Sequence, residues 1–178
     1  MSILKVNTIQ DKGGNTLLSS DGAGVISSGG AITNTPSFFA YLSSNQSLTD
    51  NTNTKAQIDT EVFDTDGCYD NTTNYRFTPN VAGKYFIFAA GALDASASNF
   101  ASGDVNIFKN GERLYQTINN QTNNNANQIS LPVSIIDEAN GTTDYYEFYL
   151  KCDDSSGDPT LNSANRRTFF GAYRLIGA

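Results

Sequence analysis

The sequence predicts an all-β protein, a sandwich of about eight to ten strands. Three observations point there. No stretch of about ten residues repeats its apolar positions with the 3.6-residue period of a buried helix face. Apolar runs are short and are cut by Asn-Gly, Asp-Gly and Pro signals. The composition pairs 9 Tyr and 11 Phe with only 16% charged residues, against roughly 25% in an average domain. Asn, Ser and Thr supply the missing polarity, as turn-rich β proteins require.

Residues 1–35 carry three short apolar pieces: Ile3-Leu4-Lys5-Val6, Thr16-Leu17-Leu18 and Gly24-Val25-Ile26. Each ends in a turn signal, the clearest being Asp11-Lys12-Gly13-Gly14-Asn15 and Asp21-Gly22. Strands this short cannot bury a face alone. The segment therefore needs a neighbour, either the downstream domain or the same segment of other subunits. It is read as an attachment and oligomerisation segment, with Ile3, Leu4, Val6, Ile9, Leu17 and Leu18 as its contacts and a linker near Ser27–Thr35.

Residues 36–178 alternate strands with polar loops. Ser37–Leu42 starts just after Pro36, and Glu61-Val62-Phe63 is short. Asn74–Thr78 alternates and is closed by Pro79. Lys84–Ala92 is apolar almost throughout. Asp104–Lys109 meets Asn110-Gly111, the strongest short hairpin signal, and Glu112–Ile118 returns. Gln128–Ile136 contains Pro132, which marks an edge strand or a bulge. Tyr145–Lys151 and Thr168–Ile176 complete the set.

Two of these strands are too apolar for a sandwich strand with one wet face. They are KYFIFAAGA, at 84–92, and Phe169-Phe170-Gly171-Ala172-Tyr173. Single exposed aromatics are common, but two doubly apolar strands favour a second chain covering one face. The expected interface residues are Phe39, Tyr41, Tyr85, Ile87, Phe169 and Tyr173.

The composition also limits function. The chain has no His, so it has no Ser-His-Asp or Cys-His base and no His-ligated zinc. Its net charge of −7, with no basic cluster, makes it a poor partner for nucleic acid. No apolar run reaches the ~18 residues of a membrane-spanning helix, and no membrane insertion is expected. The N-terminus has no signal-peptide pattern. Cys68 and Cys152 allow one disulfide but are read as free thiols. No Gly-Lys-Ser/Thr phosphate loop exists, and Glu112, Asp137, Glu138 and Glu147 form no informative pair. No enzyme and no cofactor are expected.

Asp64-Thr65-Asp66-Gly67 resembles the start of a calcium loop, but Tyr75 stands where an EF-hand needs its twelfth-position Glu. Turn formation is the simpler reading of Asp64 and Asp66. The basic pair Arg166-Arg167 is expected to meet the chain's own carboxylates at a subunit contact.

From about Thr35 to Ile176, the ordered motifs resemble the complement C1q and tumour necrosis factor jelly rolls. They run Phe38-Phe39-Ala40-Tyr41-Leu42, Glu61-Val62-Phe63-Asp64 and Tyr69-Asp70. FTPNVAGKYFIF, at 77–88, follows and is the most specific. Phe108-Lys109-Asn110-Gly111 and the aromatics around Gly171 complete the order. Two departures stand out. Asn140-Gly141-Thr142-Thr143-Asp144 replaces the usual Gly-Asp, and Ala172 adds a residue before Tyr173. The resemblance implies a jelly roll that assembles as a homotrimer. Some members bind calcium, which makes Asp153 and Asp154 (with Asp158) a second candidate for acidic ligands at a three-fold axis.

The opening ILKVNTIQDKGGNTLLSSDG resembles the start of many tail-fibre and other virion structural proteins of bacteriophages, especially marine ones. Together the two resemblances imply a non-enzymatic virion protein, assembled in the host cytoplasm. Its N-terminal segment would anchor to capsid or tail proteins, and its jelly roll would serve as fibre or head decoration. The competing expectation is a receptor-binding tip that takes a host surface glycan on loops 119–127 and 153–163. A secreted bacterial C1q-like adhesin ranks below both.

Overall fold

The computed structural model describes residues 6–23, 26–28, 34–95, 100–121, 126–155, 157 and 159–176. The chain forms two compact units, Met1–Asn34 and Thr35–Ile176.

The first unit is a three-stranded antiparallel sheet in the order β1 (Thr8–Gln10), β2 (Thr16–Ser20), β3 (Ile26–Ser28). Asp11 builds the β1–β2 turn. Its carboxylate accepts hydrogen bonds from the Asn15 backbone N–H and Nδ2, both at 2.9 Å. Gly14 takes φ +84° there, a conformation that favours glycine. No side chain described in this unit is buried. Val6, Ile9 and Leu17 are about half exposed, and Leu18 is intermediate. Ile3 and Leu4 lie outside the described residues.

The second unit is a two-sheet antiparallel sandwich. Its strands are β4 (Ser37–Tyr41), β5 (Gln46–Ser47), β6 (Thr54–Lys55), β7 (Thr60–Asp64), β8 (Tyr69–Asp70), β9 (Arg76–Phe77) and β10 (Gly83–Asp94). Then come β11 (Phe100–Lys109), β12 (Glu112–Asn120), β13 (Gln128–Ala139), β14 (Tyr146–Asp154), β15 (Thr160–Leu161) and β16 (Phe169–Arg174). The first sheet runs β5-β15-β10-β16-β4-β7, with β13 pairing the other edge of β10. The second runs β12-β11-β14-β9-β8, with β6 on β14.

Local chemistry explains the connections. Asn110 (φ +54°) and Gly111 (φ +84°) form the positive-φ turn that matches strand twist and joins β11 to β12. Asn140 Oδ1 accepts from the N–H groups of Thr142, Thr143 and Asp144, turning the chain between β13 and β14. Pro132 fits within β13 because, among the described residues, that strand pairs only with β10, so its missing N–H breaks no second ladder.

The core lies between the sheets. Phe38 is its hub, with ring centroids 4.3 Å from Tyr69, 4.8 Å from Phe77 and 5.0 Å from Phe170. Each buried tyrosine finds an acceptor. Tyr69 donates to Ile58 O at 2.8 Å, Tyr85 to Val81 O at 2.6 Å and Tyr146 to Asp137 Oδ2 at 2.6 Å. Cys68 and Cys152 are buried free thiols.

Candidate functional site: an uncovered aromatic sheet face

Side chains alternate across a strand, so the core face of the first sheet fixes its outer face. Phe38 and Ala40 on β4, Phe170 and Ala172 on β16, and Tyr85, Ile87 and Ala89 on β10 are core. The residues between them face outward, and the register sets them in three rungs. The first is Ser37–Tyr173–Phe86–Ile136. The second is Phe63–Phe39–Gly171–Phe88–Ser134. The third is Thr60–Tyr41–Phe169–Ala90–Pro132.

None of these residues is charged, and their rings touch one another. Phe86 lies 5.6 Å from Phe88 and 5.5 Å from Tyr173, and Phe39 lies 5.5 Å from Phe169. Phe88 bridges the rungs, 6.2 Å from Phe169 and 6.3 Å from Phe39. Ile136 is 57% exposed and Phe63 48%. Polar residues rim the patch. Lys84 pairs with Glu138 in the register at one end. At the other end Arg167 donates to Gln128, and Gln128 donates to Asp94. Arg166 sits 4.4 Å from the Tyr41 ring centroid, a cation–π contact. At the β7 edge, burial and the nearby Asp64 charge push the Glu61 carboxyl above its ordinary range. An apolar centre inside a polar rim is the anatomy of a protein–protein contact.

Phe39, Tyr41, Phe169 and Tyr173, expected at an interface, all lie on this face. Tyr85 and Ile87 do not. Both are fully buried in the chain's own core, so that expectation is corrected. KYFIFAAGA is apolar at both parities, and its pattern alone does not say which face is inside. The outward residues of β10 are instead Phe86 and Phe88. Lys84, exposed and of the same parity as both, was the signal for them.

The two weak calcium candidates are not gathered into a ligand set among the described residues. Asp64 is committed to a turn, accepting from the N–H groups of Asp66 at 3.3 Å and Tyr69 at 2.7 Å. Asp153 stands opposite Ser102 on β14, and the Asp154 N–H donates to Asp50 at 2.7 Å. Among the described residues no three His, Cys, Asp or Glu side chains gather as a metal would need; Asp158 lies outside them. Among the described residues Arg166 meets the Tyr41 ring and Arg167 donates to Gln128.

No family model matches the sequence, and no curated protein matches it. Solved structures do match in fold. Murine APRIL is similar with a TM-score of 0.58 at 11% identity, over 78% of this chain and 98% of that one. The Eiger TNF of S. frugiperda gives 0.54 at 10% identity, over 80% of this chain and 92% of that one. The globular domain of zebrafish complement 1qA gives 0.54 at 8% identity, over 79% and 97%. The all-β sandwich of this chain is therefore a jelly roll of the tumour necrosis factor and C1q kind.

Proposed function

We propose that this chain is a non-enzymatic structural protein of a bacteriophage particle, working as a homotrimer. The observation that carries the assembly is the charge-free face of Phe39, Phe86, Phe88, Phe169 and Tyr173, which the described residues of the second unit leave partly exposed. A contiguous aromatic patch of this kind is a contact surface rather than ordinary exposed surface. Three copies is the number the jelly-roll resemblance implies. A closed three-fold arrangement also brings three N-terminal sheets together, each with no buried side chain among its described residues. The virion reading rests on the likeness of residues 3–22 to the openings of phage structural proteins. In this reading Val6, Ile9, Leu17 and Leu18, with Ile3 and Leu4, attach the trimer to capsid or tail, and the jelly roll projects from it.

Sedimentation equilibrium tests the assembly. The expected mass is three times 19.2 kDa. A Phe86→Glu/Phe88→Glu variant should sediment as a folded monomer, because both positions lie outside the core. A monomeric wild-type chain overturns the trimer. Immunogold electron microscopy of intact particles tests the location, and particles free of the chain overturn it.

A further inference from the structure

The first unit carries an open cavity and an exposed apolar side chain that does not line it. The cavity, of about 120 Å³, lies on β1 and β2. Val6, Ile9 and Leu18 supply its apolar wall, with Thr8, Ser19 and Ser20 beside them. Ile9 and Leu18 stand directly across from each other on the two strands. The register then slips by one residue, from Ile9–Leu18 to Gln10–Thr16, and Leu17 is left with no residue opposite. A bulge of this kind re-aims a side chain. Leu17 is 49% exposed.

A sheet of three short strands, with no buried side chain among its described residues, needs a covering surface. The cavity has room for about four waters at ~30 Å³ each, but its wall is mostly apolar and offers them few partners. One aliphatic side chain fills such a space better. Neither Val6–Gln10 nor Gly13–Ser20 contains a charged residue. Two copies can therefore approach each other here despite a net charge of −7 on each chain.

We propose that Leu17 of one subunit inserts into this cavity on the next, so that the three N-terminal sheets close a ring. The inserted side chain and the cavity that takes it are different patches of the same sheet. Such a contact is heterologous, and it ends in a closed ring when the rotation between copies brings the last back to the first. The inference rests on the trimer reading above and narrows it. Leu17, Val6, Ile9 and Leu18 serve the anchor by joining sheet to sheet, and direct contact with the particle falls to Ile3 and Leu4.

The test uses the full chain. Leu17→Cys and Val6→Cys are made singly and together, each chain is mildly oxidised and alkylated, and the products are run on a non-reducing denaturing gel. Within one chain the two new cysteines cannot meet. The Asn7 carbonyl accepts from the Ser20 N–H at 2.9 Å, which sets Val6 near Asp21, about 13 Å along β2 from Leu17 at ~3.3 Å per residue. Cys68 and Cys152 are buried and stay out of the reaction. The wild type is expected to sediment as a trimer, the double variant to run as a covalent trimer and each single variant as one chain. Leu17→Asp should weaken the trimer at least tenfold on dilution. A double variant that stays a single chain, while the wild type sediments as a trimer, overturns the inference and spares the trimer. So does a Leu17→Asp trimer as tight as the wild type, or a covalent dimer in Leu17→Cys alone, which would put like against like. A monomeric wild type overturns the trimer and the inference with it.

Discussion

The Phe88 ring lies over Gly171 on the neighbouring strand. A Cβ on Gly171 would stand 2.5 Å from Phe88 Cζ and 3.1 Å from the Phe38 carbonyl oxygen. The missing side chain at Gly171 is what lets Phe88 settle between Phe39 and Phe169 on the outer face. Gly171→Ala should push that ring outward and cost about 1–3 kcal/mol by overpacking. Phe88→Leu in the same chain should restore most of the loss by shortening the opposing side chain. Chemical denaturation of the two variants measures both effects. A Gly171→Ala chain as stable as the wild type would show that Phe88 has room to move freely.

A tighter constraint sits at Gly141, in the turn between β13 and β14. Its φ is +72°, and a Cβ there would stand 2.2 Å from Ala82 N and 2.6 Å from Val81 C. Those are backbone atoms, which cannot rotate out of the way. Gly141→Ala combines a disfavoured φ with a backbone clash, and about 3 kcal/mol of destabilisation is expected. At roughly 2–4 °C per kcal/mol for a chain of this size, the melting temperature should fall by about 6–12 °C. Differential scanning fluorimetry reads the shift, and a fall under about 2 °C would refute the clash.

These two glycines illustrate what the sequence does and does not display. Asn140-Gly141 announces a turn, but the closeness of Ala82 depends on a segment far away along the chain. The hairpin at Asn110-Gly111 is legible because its two residues carry the whole signal locally. The strands β5, β6, β8 and β15 have two residues each and are too short to show any period. The outward parity of β10 is masked because Phe86, Ile87 and Phe88 are all apolar. Lys84 is the one local hint in the sequence, and register against β16 and β13 settles the parity. Asn106 reads as an ordinary solvent-facing residue in Asp104–Lys109. In the fold it is fully buried, with Gln116 and Tyr149 in register on its two sides.

The loop from Asp70 to Asn74 should make stability depend on acid. The Asp70 carboxylate accepts from the N–H groups of Thr73 at 2.9 Å and of Thr72 and Asn74 at 3.1 Å each. It also accepts from Asn74 Nδ2 at 2.7 Å. These bonds, led by the Thr73 and Thr72 N–H groups, outweigh a small burial effect and hold its pKa well below the ordinary carboxylate range. The folded pKa is depressed, so the contribution is complete above the unfolded value of about 3.9 and is lost as pH falls through the folded one. After allowance for solvent screening, Asp70→Ala should cost about 1 kcal/mol at pH 7. The gap between the two proteins should narrow from about pH 5 downward. Urea midpoints at pH 7, 5 and 3 test this, and a gap that stays constant with pH would rule the carboxylate out as its source.

The two thiols should be protected in the folded chain. Burial, helped by the charges of Asp154 and Asp50, pushes the Cys152 thiol up to about 12. Burial likewise raises Cys68, against a lowering contact with the Asn80 backbone. Only the thiolate attacks an alkylating reagent, so at pH 8 each cysteine should react when its surroundings open. Cys152 lies fully buried on the central strand β14, so its exposure requires near-global unfolding. Cys68 is 7% exposed and precedes the two-residue strand β8, so a smaller opening should release it. Iodoacetamide labelling followed by peptide mass spectrometry should therefore show both residues slower than a free cysteine, with Cys152 the slower of the two. Equal rates for the pair, or a Cys152 rate near that of unfolded chain, would contradict this picture of the core.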